Sequence, residues 1–174
     1  RKIIEAEVLE SAQKQVDSIE GLENLPLLII SGKNWHPGVI GIVAGRLKDK
    51  YSKPTFVISI DQAGIGKGSA RSVKGMDIGS LIQAAKQEGI IEAGGGHAMA
   101  GGLTIQEDQL KHFEIFCKER IQRKIDTEGL DLTPSLKIDT RLAAGGATIG
   151  LLESFDKWAP YGQGNPNPRF LCED

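Results

Sequence analysis

The stretch LLIISGKNWHPGVIGIVAGRLKDKYSKPTFVISI, Leu27–Ile60, decides the fold class. LLIIS (Leu27–Ser31) is an apolar run too short for a helix and reads as a buried strand. TFVISI (Thr55–Ile60) is rich in β-branched residues and reads as a second strand. Between them, Pro37 suits the first turn of a helix, where its missing N–H is harmless. Val39, Ile40, Val43 and Leu47 then fall on one helical face. Strand, helix and strand in succession imply an α/β sheet with helices packed on it.

The same pattern extends outward. Upstream, Leu9, Ala12, Val16 and Ile19 recur at helical spacing and Gly21 stops the run. Downstream, KGSARS (Lys67–Ser72) reads as a polar third strand or a loop. Asp77 is a fair cap for a helix carrying Ile78, Leu81, Ile82 and Ala85. GLTI (Gly102–Ile105) reads as another strand, and Leu110, Phe113, Cys117, Ile121 and Ile125 mark an amphipathic helix. Around Thr133 the character changes, which puts the expected domain boundary near Asp131–Pro134. Beyond it, SLKID (Ser135–Asp139) reads as a strand and TIGLLESFDKW (Thr148–Trp158) as a short helix. APYGQGNPNPRF (Ala159–Phe170) reads as a loop leading into a strand.

Composition narrows the class. The chain has 174 residues, 40% of them hydrophobic and 25% charged, in the range of globular rather than disordered sequences. Its net charge of −2 means that any nucleic-acid binding must come from a local patch. Cys117 and Cys172 lie far apart with no CxxC or Cys/His spacing, which argues for a reducing compartment, with a cytoplasmic location expected. No apolar run approaches the ~18–20 residues of a membrane span. The start RKIIEAEVLE is unlike a signal peptide, and without an initiator methionine it reads as cut from a longer protein.

Two stretches carry candidate chemistry. In KGSARSVKG (Lys67–Gly75), Lys67, Arg71 and Lys74 stand in a neighbourhood without acids, and the hydroxyls of Ser69 and Ser72 flank the arginine. If this piece is extended, Ser69 and Arg71 project to one face, and a hydroxyl beside a guanidinium fork suits a phosphate oxygen. The alternative is a solvated edge strand. In GGGHAMAGG (Gly94–Gly102), five glycines surround His97. They serve either a tight turn or the close approach of a ligand, the latter through backbone N–H groups of Gly95 and Gly96 arranged as an anion-binding nest. Trp35 and His36 precede a helix start that could attract an anion, but read more simply as a core residue and a cap. His112 reads as solvated. The P-loop fails because Gly68 separates Lys67 from Ser69, GxGxxG fails at Met99, and there is no HExxH, HxxH or GxSxG.

NWHPGVIGIVAGRL, GSARS and GGGHAMAGGLTI, in this order and spacing, resemble the DHH-associated domain of RecJ-type single-strand-specific DNA exonucleases. PYGQGNPNPRF resembles the entry to the oligonucleotide-binding (OB) domain that follows it there. The resemblance implies a connector helix over 1–20, a small mixed-sheet α/β substrate-binding domain over 21–132, and the start of an OB-like domain over 133–174. It implies that Ser69 and Arg71 contact the 5′-end phosphate of single-stranded DNA and that His97 lies at the catalytic cleft near the scissile phosphate. It also implies that hydrolysis rests on two Mn2+ or Mg2+ ions in a separate DHH domain, and no DHH motif occurs in this sequence. The expectation is therefore a fragment without bound metal that is inactive by itself, with a single-strand-binding protein or helicase as partners of the whole enzyme. Related nano-RNase or cyclic-dinucleotide phosphodiesterase modules, and the RNA-binding module of alanyl-tRNA synthetases, are the alternatives within the wider superfamily. Aromatic content of 5% leaves few stacking platforms for bases.

Overall fold

In the structure, a computed structural model, residues 2–133, 136–162 and 164–173 are described. The opening helix α1 (Lys2–Asp17) is followed by β1 (Leu28–Lys33), α2 (Pro37–Tyr51) and β2 (Thr55–Ile60), the arrangement expected around Pro37. β3 (Ile65–Arg71), α3 (Ile78–Gln87), β4 (Ala93–His97), β5 (Ala100–Gln106) and α4 (Leu110–Glu128) follow. The five strands form one sheet in the order β1-β2-β3-β5-β4. β1 and β2 run parallel and all other pairs antiparallel, so the sheet is mixed and the fold is α/β. Among the described residues no helix is long and apolar enough to cross a membrane.

One face of this sheet is covered along its length. Phe56, Ile58, Ile60, Ala70, Leu103 and Ile105 are buried there against α3 and against Phe113, Cys117 and Ile121 of α4. Phe56 meets Phe113 edge to face, with ring centroids 5.2 Å apart. Asp77 starts α3 as expected, its Oδ1 accepting the Ser80 amide at 2.9 Å. Burial pushes the Cys117 thiol up, and both cysteines are free.

On the opposite face the buried apolar layer lies over β1 and β2, and α2 reaches across to β3. There α1 and α2 bury Val8, Ala12, Val16, Val39, Val43 and Leu47 over Leu28, Ile30 and Val57. Arg46 pairs with Glu5 at 2.6 Å, and the Tyr51 hydroxyl donates to Asp17 at 2.7 Å. Through these contacts α1, expected as a connector helix, packs within the unit formed by residues 1–133.

Three expectations need correction. Of the readings of KGSARS, the polar third strand is right for Lys67–Arg71, while the loop and the edge strand are not, because β3 lies in the middle of the sheet between β2 and β5. Its inward positions are Gly66, Gly68 and Ala70, and a Cβ on Gly66 or Gly68 would come within 2.9 Å of Ile58 or Leu103 side chains. Only small residues fit under the neighbouring strands' aliphatic groups. Gly94–Gly96 form no nest: they lie in β4, with Gly95 opposite Gly102 and Gly96 opposite Gly101 in an antiparallel ladder. A nest needs backbone of alternating hand, and none of these glycines has a positive φ. The strand expected at Ser135–Asp139 is displaced. Ser135 lies outside the described residues, Leu136–Asp139 are irregular, and β6 spans Thr140–Ala143.

Residues 134–174 form a second unit. In it β6 pairs in parallel with β7 (Phe170–Glu173), and α5 (Ile149–Asp156) is capped by Thr148. Phe155 packs on Trp158 and Phe170. Among its described residues none is fully buried, and the strands form no closed barrel.

Candidate functional site

The side chains of β3 alternate as extended backbone requires. With Gly66, Gly68 and Ala70 turned to the covered face, Lys67, Ser69 and Arg71 stand on the other, beyond the cover of α1. The register shows what lies beside them. Ser69 is opposite Val57 on one side and Gly102 on the other, and Gly102 is opposite Gly95. Arg71 is opposite Ala100, which is opposite His97. Lys67 is opposite Thr104. One sheet face therefore carries Lys67, Ser69, Arg71 and His97 around a floor of Gly95, Gly102 and Ala100. With strands ~4.8 Å apart, Arg71 and His97 stand in one row about 10 Å from each other.

The edge of α2 closes this floor on one side. The result is a groove of about 880 Å³ whose walls include Gly41 and Ile42 of α2 and Lys67, Ser69 and Arg71 of β3. A Cβ on Gly95 would meet nothing within 4 Å, so its lack of a side chain leaves open space above the sheet. By contrast, a Cβ on Gly96 would collide with the Ala100 carbonyl, and one on Gly79 of α3 would come 2.8 Å from the Gly96 carbonyl. The glycine-rich stretch thus does two different jobs. Some of its glycines permit close packing, Gly102 leaves the groove floor bare, and Gly95 leaves the adjoining sheet face bare.

Arg71 is held in place within the face. Its Nη1 donates to Ser69 Oγ at 3.2 Å and to the Ala70 carbonyl at 2.8 Å. Lys67 Nζ donates to Thr104 Oγ1 at 3.0 Å. Among the described residues no carboxylate lies within ion-pair distance of Lys67 or Arg71. A half-buried guanidinium without a counter-charge is poorly compensated, and an incoming anion would correct this. The remaining N–H groups of Arg71 and the hydroxyl of Ser69 are the donors that such an anion would use.

The other expected site residues are placed differently. Ser72 does not belong to the face. It is 1% exposed and its hydroxyl donates to the Met76 carbonyl at 2.6 Å, which stabilises the turn after β3. Period-two alternation sends it to the side opposite Arg71. Lys74 is exposed in that same turn, beyond the end of the strand. His36 caps α2, its Nδ1 accepting the Gly38 amide at 3.0 Å. The Trp35 ring lies over Gly32, where any Cβ would collide with it, and the Trp35 carbonyl accepts the Ser59 hydroxyl. Sequence reasoning missed Gly41, Gly102 and Thr104, because their roles depend on a register that only the folded sheet reveals.

The Mn2+ or Mg2+ ions implied by the family resemblance do not fit these residues. Among the described residues no group of three or more His, Cys, Asp or Glu side chains is placed to hold a metal ion. His97 is on β4, His112 is on α4, and the Nδ1 of His36 is occupied as a cap.

Residues 24–123 match the DHHA1 domain family. The chain is 32% identical over 174 residues to the single-stranded-DNA-specific exonuclease RecJ of Haemophilus influenzae, covering 98% of the chain and 30% of that protein. It is 29% identical over 169 residues to RecJ of Bacillus subtilis, covering 97% of the chain and 20% of that protein. The chain thus spans less than a third of these relatives. The crystal structure of RecJ from Thermus thermophilus in complex with Mn2+ superposes with a TM-score of 0.76 at 23% identity, over 97% of this chain and 24% of that one. That likeness establishes a shared α/β fold with a mixed sheet flanked by helices. By sequence the chain belongs to the DHHA1 domain family and is homologous to the RecJ exonucleases, corresponding to their DHH-associated region.

Proposed function

We propose that this chain is the substrate-binding part of a RecJ-like 5′–3′ single-strand-specific DNA exonuclease, and that the open half of its sheet receives the phosphates at the 5′ end of the strand. Lys67, Ser69 and Arg71 serve as phosphate donors, and Gly95 and Gly102 provide a floor low enough for the sugar–phosphate chain. His97, in the same row as Arg71, donates to the phosphate undergoing reaction. Lys74 acts only as a peripheral charge. The bond-breaking chemistry, with its Mn2+ or Mg2+, belongs to a DHH domain of the whole enzyme, and these residues by themselves bind without cleaving. A cytoplasmic location and cooperation with a single-strand-binding protein or helicase accord with this role.

One observation carries the reading. Arg71 is half-buried, fixed by two acceptors, and has no carboxylate partner among the described residues. Contacts to phosphate carry charge but no sequence information. Arg71→Ala should therefore weaken binding of a 5′-phosphorylated oligonucleotide equally for all base compositions. The slope of log K against log salt should fall by about 0.7, the contribution of one phosphate contact on a single strand. A binding titration across salt in which the slope does not change would overturn the assignment.

A further inference from the structure

We propose that Gly41, in the second turn of α2, is a positioning residue for the phosphate groove: its missing side chain is what allows Arg71 and Ser69 to hold their geometry under the helix. The inference rests on the phosphate-binding reading above. Glycine inside a helix costs up to ~1 kcal/mol relative to alanine, so such a glycine invites a structural explanation. At Gly41 the explanation is visible. A Cβ built there would lie 3.1 Å from both Arg71 Nη2 and Ser69 Oγ. That is closer than a methyl group ordinarily approaches such atoms, and the guanidinium has little freedom to yield. Its Nη1 is tied to the Ala70 carbonyl at 2.8 Å, and retreat would stretch that bond and the one to Ser69.

The methyl would also occupy the space beside Nη2, the side of the fork that is not bonded to β3. An anion oxygen approaching Arg71 from the groove needs that space. Gly41 therefore acts through Arg71 and Ser69 rather than by touching the ligand through a side chain. Gly45, one turn further along α2, provides an internal control. A Cβ there would meet nothing within 4 Å, and Gly45 does not line the groove.

The two glycines separate fold from function, because both alanine variants should favour the helix. Gly45→Ala is expected to leave the melting temperature of the 174-residue chain unchanged or raise it, and Gly41→Ala, whose methyl crowds Arg71 and Ser69, to raise it less or lower it slightly. Gly41→Ala alone should weaken binding of 5′-phosphorylated oligodeoxythymidylate, by about tenfold if one charge-assisted hydrogen bond is lost. Arg71→Ala in the same titration distinguishes the two ideas. If Arg71→Ala weakens binding and Gly41→Ala does not, the groove assignment stands and the role of Gly41 falls. If neither variant weakens binding, the groove assignment falls. A measurement without ligand closes the remaining gap: the side-chain Nε–H resonance of Arg71 in an NMR spectrum. It should move in Gly41→Ala and stay in place in Gly45→Ala, and an unmoved resonance in both variants would overturn the inference.

Discussion

The two faces of the five-stranded sheet are built from the same strands yet solve different problems. On the face under α3 and α4, the inward residues of β2, β3 and β5 are aliphatic, aromatic or small, and they pack into one continuous core. On the other face the apolar layer ends with β2. From β3 onward the outward residues include Lys67, Ser69, Arg71, Thr104, His97 and the small Ala100, Gly95 and Gly102. A sheet that only needed to be stable would extend α1 and α2, or their equivalent, over this half as well. A half-buried arginine with no carboxylate partner among the described residues costs stability, which the proposed phosphate binding would offset. On the phosphate-binding reading proposed above, the difference assigns binding to the open half and fold stability to the covered one.

The comparison breaks if removing a covered-face side chain proves harmless. Phe113→Ala should give the largest effect, about 3–5 kcal/mol of destabilisation, because it removes the edge-to-face partner of Phe56 and leaves a cavity between α4 and the sheet. Denaturant unfolding would measure it. A loss below about 1 kcal/mol would mean that α4 contributes little to the fold.

Adjacent glycines sharpen the contrast. Gly96→Ala drives a methyl into the Ala100 carbonyl and should destabilise by about 1–3 kcal/mol. Gly95→Ala places its methyl in open space above the sheet and should leave stability unchanged or raise it by a few tenths up to ~1 kcal/mol. The same Gly95 variant should weaken oligonucleotide binding, since the methyl rises from the open sheet face beside Gly102. Equal stability changes at the two positions would contradict the division of roles between them.

Much of this could be read in the sequence, because the relevant forces are local. Pro37 and the Val39, Ile40, Val43, Leu47 spacing locate α2, and Asp77 locates the start of α3. What escaped depends on partners distant in the chain. Nothing in KGSARS says that it is a central strand, since polar residues and glycine have low strand propensity. Its place is set by small residues fitting beneath Ile58 and Leu103. The glycines of β4 and β5 read as a turn or a nest for the same reason, because glycine's freedom hides the extended conformation that α3 packing imposes. Ser72 looked equivalent to Ser69 in the linear sequence. The strand's alternation and the Met76 carbonyl direct it inward.

The smallest expected effect concerns the cover itself. Hydrogen bonds from the Ser80 amide and hydroxyl, set against a slight desolvation, hold the Asp77 carboxyl below its ordinary value near 3.8. A carboxyl whose value is lowered by folding contributes stability that is fully present above its unfolded value and is lost as pH falls through the folded one. Wild-type stability should therefore decline below about pH 4 partly through Asp77. Asp77→Asn keeps a capping oxygen at the start of α3 and should flatten that part of the acid limb. Unfolding midpoints measured from about pH 6 to about pH 2 would reveal this, and an unchanged acid limb would remove Asp77 from the explanation.

The central claim is that the uncovered half of the sheet is where the 5′ phosphate of a single strand binds. Amide-resolved NMR titration of the 174-residue chain with a short 5′-phosphorylated oligodeoxythymidylate tests it most directly. The account predicts that the shifted resonances concentrate in Lys67–Arg71, Gly95–His97, Gly102–Thr104 and the first turns of α2, and that removing the 5′ phosphate from the oligonucleotide weakens these shifts. Shifts concentrated on the outer surface of α4 or in residues 136–173, with the β3 face silent, would contradict it.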